Sequence, residues 1–112
     1  MSDLGALARH FKLIRSKDAG PFMLTIDLFF ADRESREAFL GSGVLDPDSI
    51  GTLYGVPADD VQRWVIPEIE AVKISFPRRV PSGEFGDRDI TGGQQYAVLV
   101  EAMAEKMKKD RL

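Results

Sequence analysis

The sequence predicts one α+β domain over residues 1–112: a small mixed or antiparallel sheet with two short helices and a C-terminal helix packed on it. Three observations carry this. In the run from Phe22 to Phe30, the side chains of Phe22, Leu24, Ile26, Leu28 and Phe30 share one face at period two. The run from Glu70 to Phe76 repeats the pattern, with Val72, Ile74 and Phe76 on one side and Ala71, Lys73 and Ser75 on the other. Between them lie short, well-punctuated helical segments without a regular strand–helix–strand period, which argues against a doubly wound fold. The two strands are expected to pair with each other.

Composition sets the outer limits. Hydrophobic residues make up 44% of the chain and charged ones 29%, the balance of a soluble globular protein. A chain of this length can bury a core without covalent staples. Its net charge of −3, from 15 basic and 18 acidic side chains, counts against nucleic-acid binding. The absence of cysteine excludes disulfides, thiolate metal sites and a cysteine nucleophile. The single histidine, His10, excludes a multi-histidine metal site and reads as a structural or surface residue rather than a catalytic one. No apolar run has signal-peptide or bilayer-spanning length, so a cytoplasmic protein without membrane contact is expected.

The elements follow in order. Ser2 and Asp3 can cap a short helix through Leu4, Leu7 and Ala8, although Gly5 weakens it and an extended lead-in is the alternative. Phe11 to Ile14 reads as a short strand or a helix end. Arg15 to Pro21 reads as a charged loop closed by Gly20-Pro21, and Pro21 is tolerated at the start of a strand. The strand that follows is apolar enough to be central, with both faces largely covered. Asp27 within it therefore needs a partner. Asp32 should cap a helix over Arg33 to Leu40, stopped by Gly41 or Gly43. Asp46 should cap the next helix, with Pro47 at its first position, Leu45 and Ile50 as a hydrophobic staple, and Gly55 as the stop. Pro57 to Asp60 is a turn or one helical turn, Val61 to Ile66 a strand, and Pro67-Glu68 its break. The last helix should run from Gln94 to Lys109, with Tyr96, Leu99, Val100, Met103 and Met107 at helical spacing. Its methionines belong to the core, or to an interface if the sheet cannot cover them.

Two regions can carry chemistry. The first is Arg15, Ser16, Lys17 and Asp18 with Thr25 and Asp27. Two cations and hydroxyl groups beside a tight turn can grip a carboxylate or phosphate, and Asp27 or Asp18 can serve as a base. The plainer alternative is a surface loop, with Asp27 in a buried salt bridge to Lys73 or an arginine. The second region is the glycine-rich stretch from Arg78 to Gly93, containing Ser82, Gly83, Asp87, Asp89 and Gly92, which opens a helix at Gln94 and Gln95. A helix start of this kind binds anions through free N–H groups, and the alternative is a cap and turn. The acidic pair Asp46 and Asp48 is explained by capping rather than by metal binding. No nucleophile–base pair with a known spacing appears, and no motif names a cofactor.

Several blocks together resemble a small bacterial family. They are Arg-Ser-Lys-Asp-Ala-Gly-Pro-Phe-x-Leu-Thr-x-Asp from Arg15 to Asp27, Ser42 to Leu45, Leu53 to Pro57, and the stretch from Arg79 to Gln95. The likeness runs from about Leu13 to Leu99. The family often carries Asn where this chain has Asp18, and a His near Tyr96. Its members occur beside or fused to larger proteins of the acyclic terpene utilisation A type, and no activity is established for them. The resemblance implies an accessory subunit or domain in catabolism, binding a larger acyclic terpene utilisation A-like protein and contributing an anion pocket for a carboxylate or acyl-CoA. Homo-oligomers are compatible with it. It also implies that the two regions form a joint site. The competing reading is a stand-alone lyase, hydratase or isomerase acting on a carboxylic acid or its CoA thioester.

Overall fold

The computed structural model describes residues 2–20, 22–77 and 96–110, with side chains from residue 5 on. Four strands form one antiparallel sheet: β1 (Phe11–Asp18), β2 (Met23–Phe30), β3 (Gln62–Ile66) and β4 (Ala71–Pro77). Their spatial order is β1-β2-β4-β3, so β2 and β4 are the inner strands. The predicted pairing of the two apolar strands is present, antiparallel, with Ile26 opposite Ile74 and Asp27 opposite Lys73.

Four helices supply the second layer: α1 (Ser2–Ala8), α2 (Arg33–Ser42), α3 (Pro47–Tyr54) and α4 (Tyr96–Asp110). Each has a side chain in the same apolar cluster: Leu7, Phe39, Ile50 and, from α4, Leu99, Met103 and Met107. The sheet contributes Leu24, Ile26, Leu28 and Phe30 from β2 and Val72, Ile74 and Phe76 from β4. Period two along each strand thus puts every second residue into one core. The methionines of α4 belong to that core.

Phe39 is the hinge-pin of this layer. Its ring centroid lies 5.5 Å from that of Phe11 and 5.9 Å from that of Phe30, and the His10 ring meets it edge-on at 5.4 Å. The His10 Nδ1 atom lies 2.8 Å from the Ser35 hydroxyl, which ties the start of β1 to the first turn of α2.

The helix ends follow the predicted chemistry with one exception. Asp32 accepts a 2.7 Å hydrogen bond from the Ser35 amide, and that amide holds the Asp32 carboxyl below its ordinary range. Gly43 and Gly55 adopt the left-handed conformation that ends α2 and α3. At α3, however, the Asp46 side chain makes no cap bond. It accepts from Arg63 Nη1 at 3.2 Å, and the same guanidinium donates to the Leu45 carbonyl. An arginine on the neighbouring strand is a stronger partner than one backbone amide.

Two expectations are corrected. Arg15 to Asp18 is strand rather than loop: β1 runs unbroken from Phe11 to Asp18, with one bulge between Phe11 and Leu13. Phe22 is exposed and precedes β2 rather than belonging to it.

An ion pair crosses from α2 to the approach to β4. Arg36 Nε donates to Glu70 Oε1 at 2.8 Å, with the Arg36 side chain only 10% exposed. Among the described residues, Glu70 is the non-glycine residue with positive φ, at 50°. Alanine there would keep the backbone geometry but leave a buried guanidinium unpaired. Glu70→Ala is expected to destabilise the domain by about 3 kcal/mol in urea unfolding. An Arg36→Met, Glu70→Ala double variant should recover much of that loss.

Tyr54 makes stability pH-dependent at the alkaline end. Its ring lies 4.6 Å from that of Phe76. Burial pushes its phenol well above the ordinary value of 10.0, against a smaller opposing effect from the Leu99 backbone. Folding therefore favours the protonated phenol. The associated stability is complete below about pH 10 and is lost as pH rises through the interval towards the folded-state value. Melting curves from neutral to strongly alkaline pH should show this decline in the native chain and a smaller one in Tyr54→Phe.

Candidate functional site

The four helices leave the second face of the sheet without a described helix. Strand register shows what lies there. The middle row across the strands is Arg15, Asp27, Lys73 and Trp64. The row beside it is Lys17, Thr25, Ser75 and Gln62, and on the other side lie Leu13, Phe29, Ala71 and Ile66. Two rows that are mostly polar therefore run beside an apolar one. Leu13, Trp64 and the nearby Ile69 are exposed large hydrophobic residues.

Asp27 is the centre of this face. Its side chain is 7% exposed, and Arg15 Nε donates to its Oδ2 at 3.1 Å. The Arg15 side chain is itself 54% exposed. Its guanidinium carbon lies 5.3 Å from the centroid of the Phe29 ring, a cation–π contact. Arg15 is thus held on one side by a carboxylate and on another by an aromatic face, and it still reaches solvent. Lys73, across the strand from Asp27, makes no ion pair among the described residues. One row down, the Thr25 hydroxyl donates to that of Ser75 at 3.4 Å.

A cleft of about 170 Å³ opens here, lined by Arg15, Asp27, Phe29, Ile69 and Lys73 among others. A larger hollow, about 580 Å³, lies between the α2–α3 connection and α4. Its Asp46 is already paired with Arg63, and its Lys106 with Asp110. The smaller cleft has the better chemistry.

The strand character of β1 divides the first candidate region. Arg15 and Lys17 pair with Asp27 and Thr25 and share the second face. Ser16 and Asp18 pair with Ile26 and Leu24 and lie towards the helices. Asp18 and Asp27 are therefore on opposite faces and do not form one carboxylate pair. The Ser16 hydroxyl accepts from the Tyr96 amide at 3.2 Å, fixing the start of α4 against β1.

The candidates Ser82, Gly83, Asp87, Asp89, Gly92, Gln94 and Gln95 lie outside the described residues. The residues that flank that segment are described. Pro77 pairs with Met23, and Tyr96 touches Ser16. Both are at the end of the sheet where the β1–β2 turn lies.

Trp64 and Ile69 were missed by sequence reasoning. The period of β3 puts Trp64 on one face with Gln62 and Ile66, whereas Ile69 lies in the turn between β3 and β4, where no period marks it.

Residues 7–103 match the family described as a domain of unknown function, DUF4387. The chain belongs to that family. The DUF4387 match takes in both candidate regions and reaches further at each end than the sequence blocks indicated, into α1 and another turn of α4. No curated protein and no solved structure matches the chain. Among the described residues, no helix is long and apolar enough to cross a membrane.

Proposed function

We propose that this domain is an accessory binding domain of a larger catabolic protein, and that it works by presenting the second face of its sheet. The observation that carries this is Arg15. It is held by Asp27 and Phe29, half-exposed, in the middle of a face bordered by exposed Leu13, Trp64 and Ile69. Fixing a guanidinium before its ligand arrives lowers the entropy lost on binding. A half-exposed aromatic and aliphatic border is what a docking surface needs.

Arg15 and Lys73 form the anion pocket in this reading, with Asp27 as the residue that positions Arg15 and Lys17 one row away on the same face. Resemblance to proteins found beside or fused to the acyclic terpene utilisation A type makes such a protein the first partner to try. The enzyme reading needs an unoccupied base facing a cleft. Asp27 is engaged by Arg15, and Asp18 is on the other face.

The test is purification of the chain from its native cell extract, followed by mass determination. A larger protein should accompany it in fixed ratio, and Lys73→Glu should reduce its yield. A chain that emerges alone, as monomer or homo-oligomer, would overturn the reading.

A further inference from the structure

We infer that the group received between Arg15 and Lys73 is an acidic side chain of a partner protein, carried on an otherwise apolar surface. The inference rests on the reading of the second face as a docking surface and adds what docks there.

Charge is the first argument. The charged residues on this face of the four strands are Arg15, Lys17, Lys73 and Asp27, three cations against one anion. The chain as a whole carries −3. The local excess is opposite in sign to the rest of the molecule, so the complementary surface is negative. A second copy would bring the same positive face and be repelled.

Size is the second. The cleft is about 170 Å³, whereas pockets for drug-sized ligands span roughly 300–1,000 Å³. A CoA thioester is too large for it, and a carboxylate on two or three carbons is not. A free acid of that size would leave Leu13, Trp64 and Ile69 in water. A protein surface bearing the same carboxylate would cover them, which is where the apolar part of the binding free energy arises.

Donor geometry is the third. Arg15 uses Nε for Asp27 and has no other ion pair among the described residues. Its terminal nitrogens form a fork that matches a carboxylate, and Lys73 stands on the other side of Asp27 to share the charge.

Trp64 is the chain's one tryptophan and sits in this row, so its fluorescence reads the site directly. The full chain is titrated with a short peptide of alternating Glu and Leu, its Gln-for-Glu counterpart, glutarate and acetyl-CoA. The Glu peptide is expected to shift Trp64 emission, with binding about tenfold tighter than the Gln peptide. Raised salt or Lys73→Gln should weaken it. Lys73 is exposed, so that variant tests binding without endangering the fold. Equal binding of the Gln peptide would overturn the acidic occupant while leaving the docking face standing. A tighter response to glutarate or acetyl-CoA would replace the protein partner by a small molecule. Silence from every probe at millimolar concentration would overturn both the inference and the docking face.

Discussion

Replacing Arg15 and Asp27 one at a time by leucine is expected to give opposite results, although the two form one ion pair. Arg15→Leu leaves the Asp27 carboxylate buried, with Lys73 across the strand as the remaining cation beside it among the described residues. A buried charge that loses its partner is strongly unfavourable, and we expect a loss of about 2 kcal/mol. Asp27→Leu leaves a guanidinium that is already 54% exposed and can turn fully into water. It also removes the desolvation of a carboxylate from an inner strand. Stability should be unchanged or higher by about 1 kcal/mol. Binding at the second face should fall sharply in both, since Asp27→Leu frees Arg15 to move. A stabilised variant that no longer binds would mark Asp27 as retained for the site. Urea unfolding of both variants decides the matter. Equal destabilisation of the two would make the pair a structural brace.

Phe39→Ala should have the largest effect on the fold itself. Phe39 is fully buried and its ring joins Phe11, Phe30 and His10. Removing it opens a cavity between α2 and the β1–β2 pair. The expected loss is about 3–5 kcal/mol, a fall in Tm on the order of 15 °C for a domain of this size. Calorimetry checks this. Because Phe39 lies on the helix side, whatever remains folded should still bind at the second face with its usual affinity. Loss of binding in the folded fraction would mean that the two faces are coupled.

The inner strands were legible because they alternate with apolar residues on the core face, from Leu24 to Phe30 and from Val72 to Phe76. The helix ends were legible because Asp32, Pro47, Gly43 and Gly55 each have a local backbone role. β1 was not. It is an edge strand, and its core-facing positions include Ser16, while its other face carries Arg15 and Lys17. A bulge near Lys12 breaks the period as well. With few apolar residues to count, eight residues of strand read partly as a charged loop. That error also merged the site, because a loop lets Arg15, Ser16, Lys17 and Asp18 converge and a strand sends alternate residues to opposite faces. The need of Asp27 for a cation was readable from its place in an apolar strand. Which cation served was not, because both Arg15 and Lys73 stand opposite it and only packing on Phe29 distinguishes them.

The most direct test of the second face as a docking surface is lysine footprinting. The chain is treated with an amine-acetylating reagent once in purified form and once in its native cell extract, and each lysine is read by mass spectrometry. Lys17 and Lys73 report the face, and Lys108 and Lys109 at the exposed end of α4 are internal references. We expect Lys17 and Lys73 to be protected in the extract and the two references to react equally in both. Unchanged reactivity of Lys17 and Lys73, or protection confined to α4, would contradict the account.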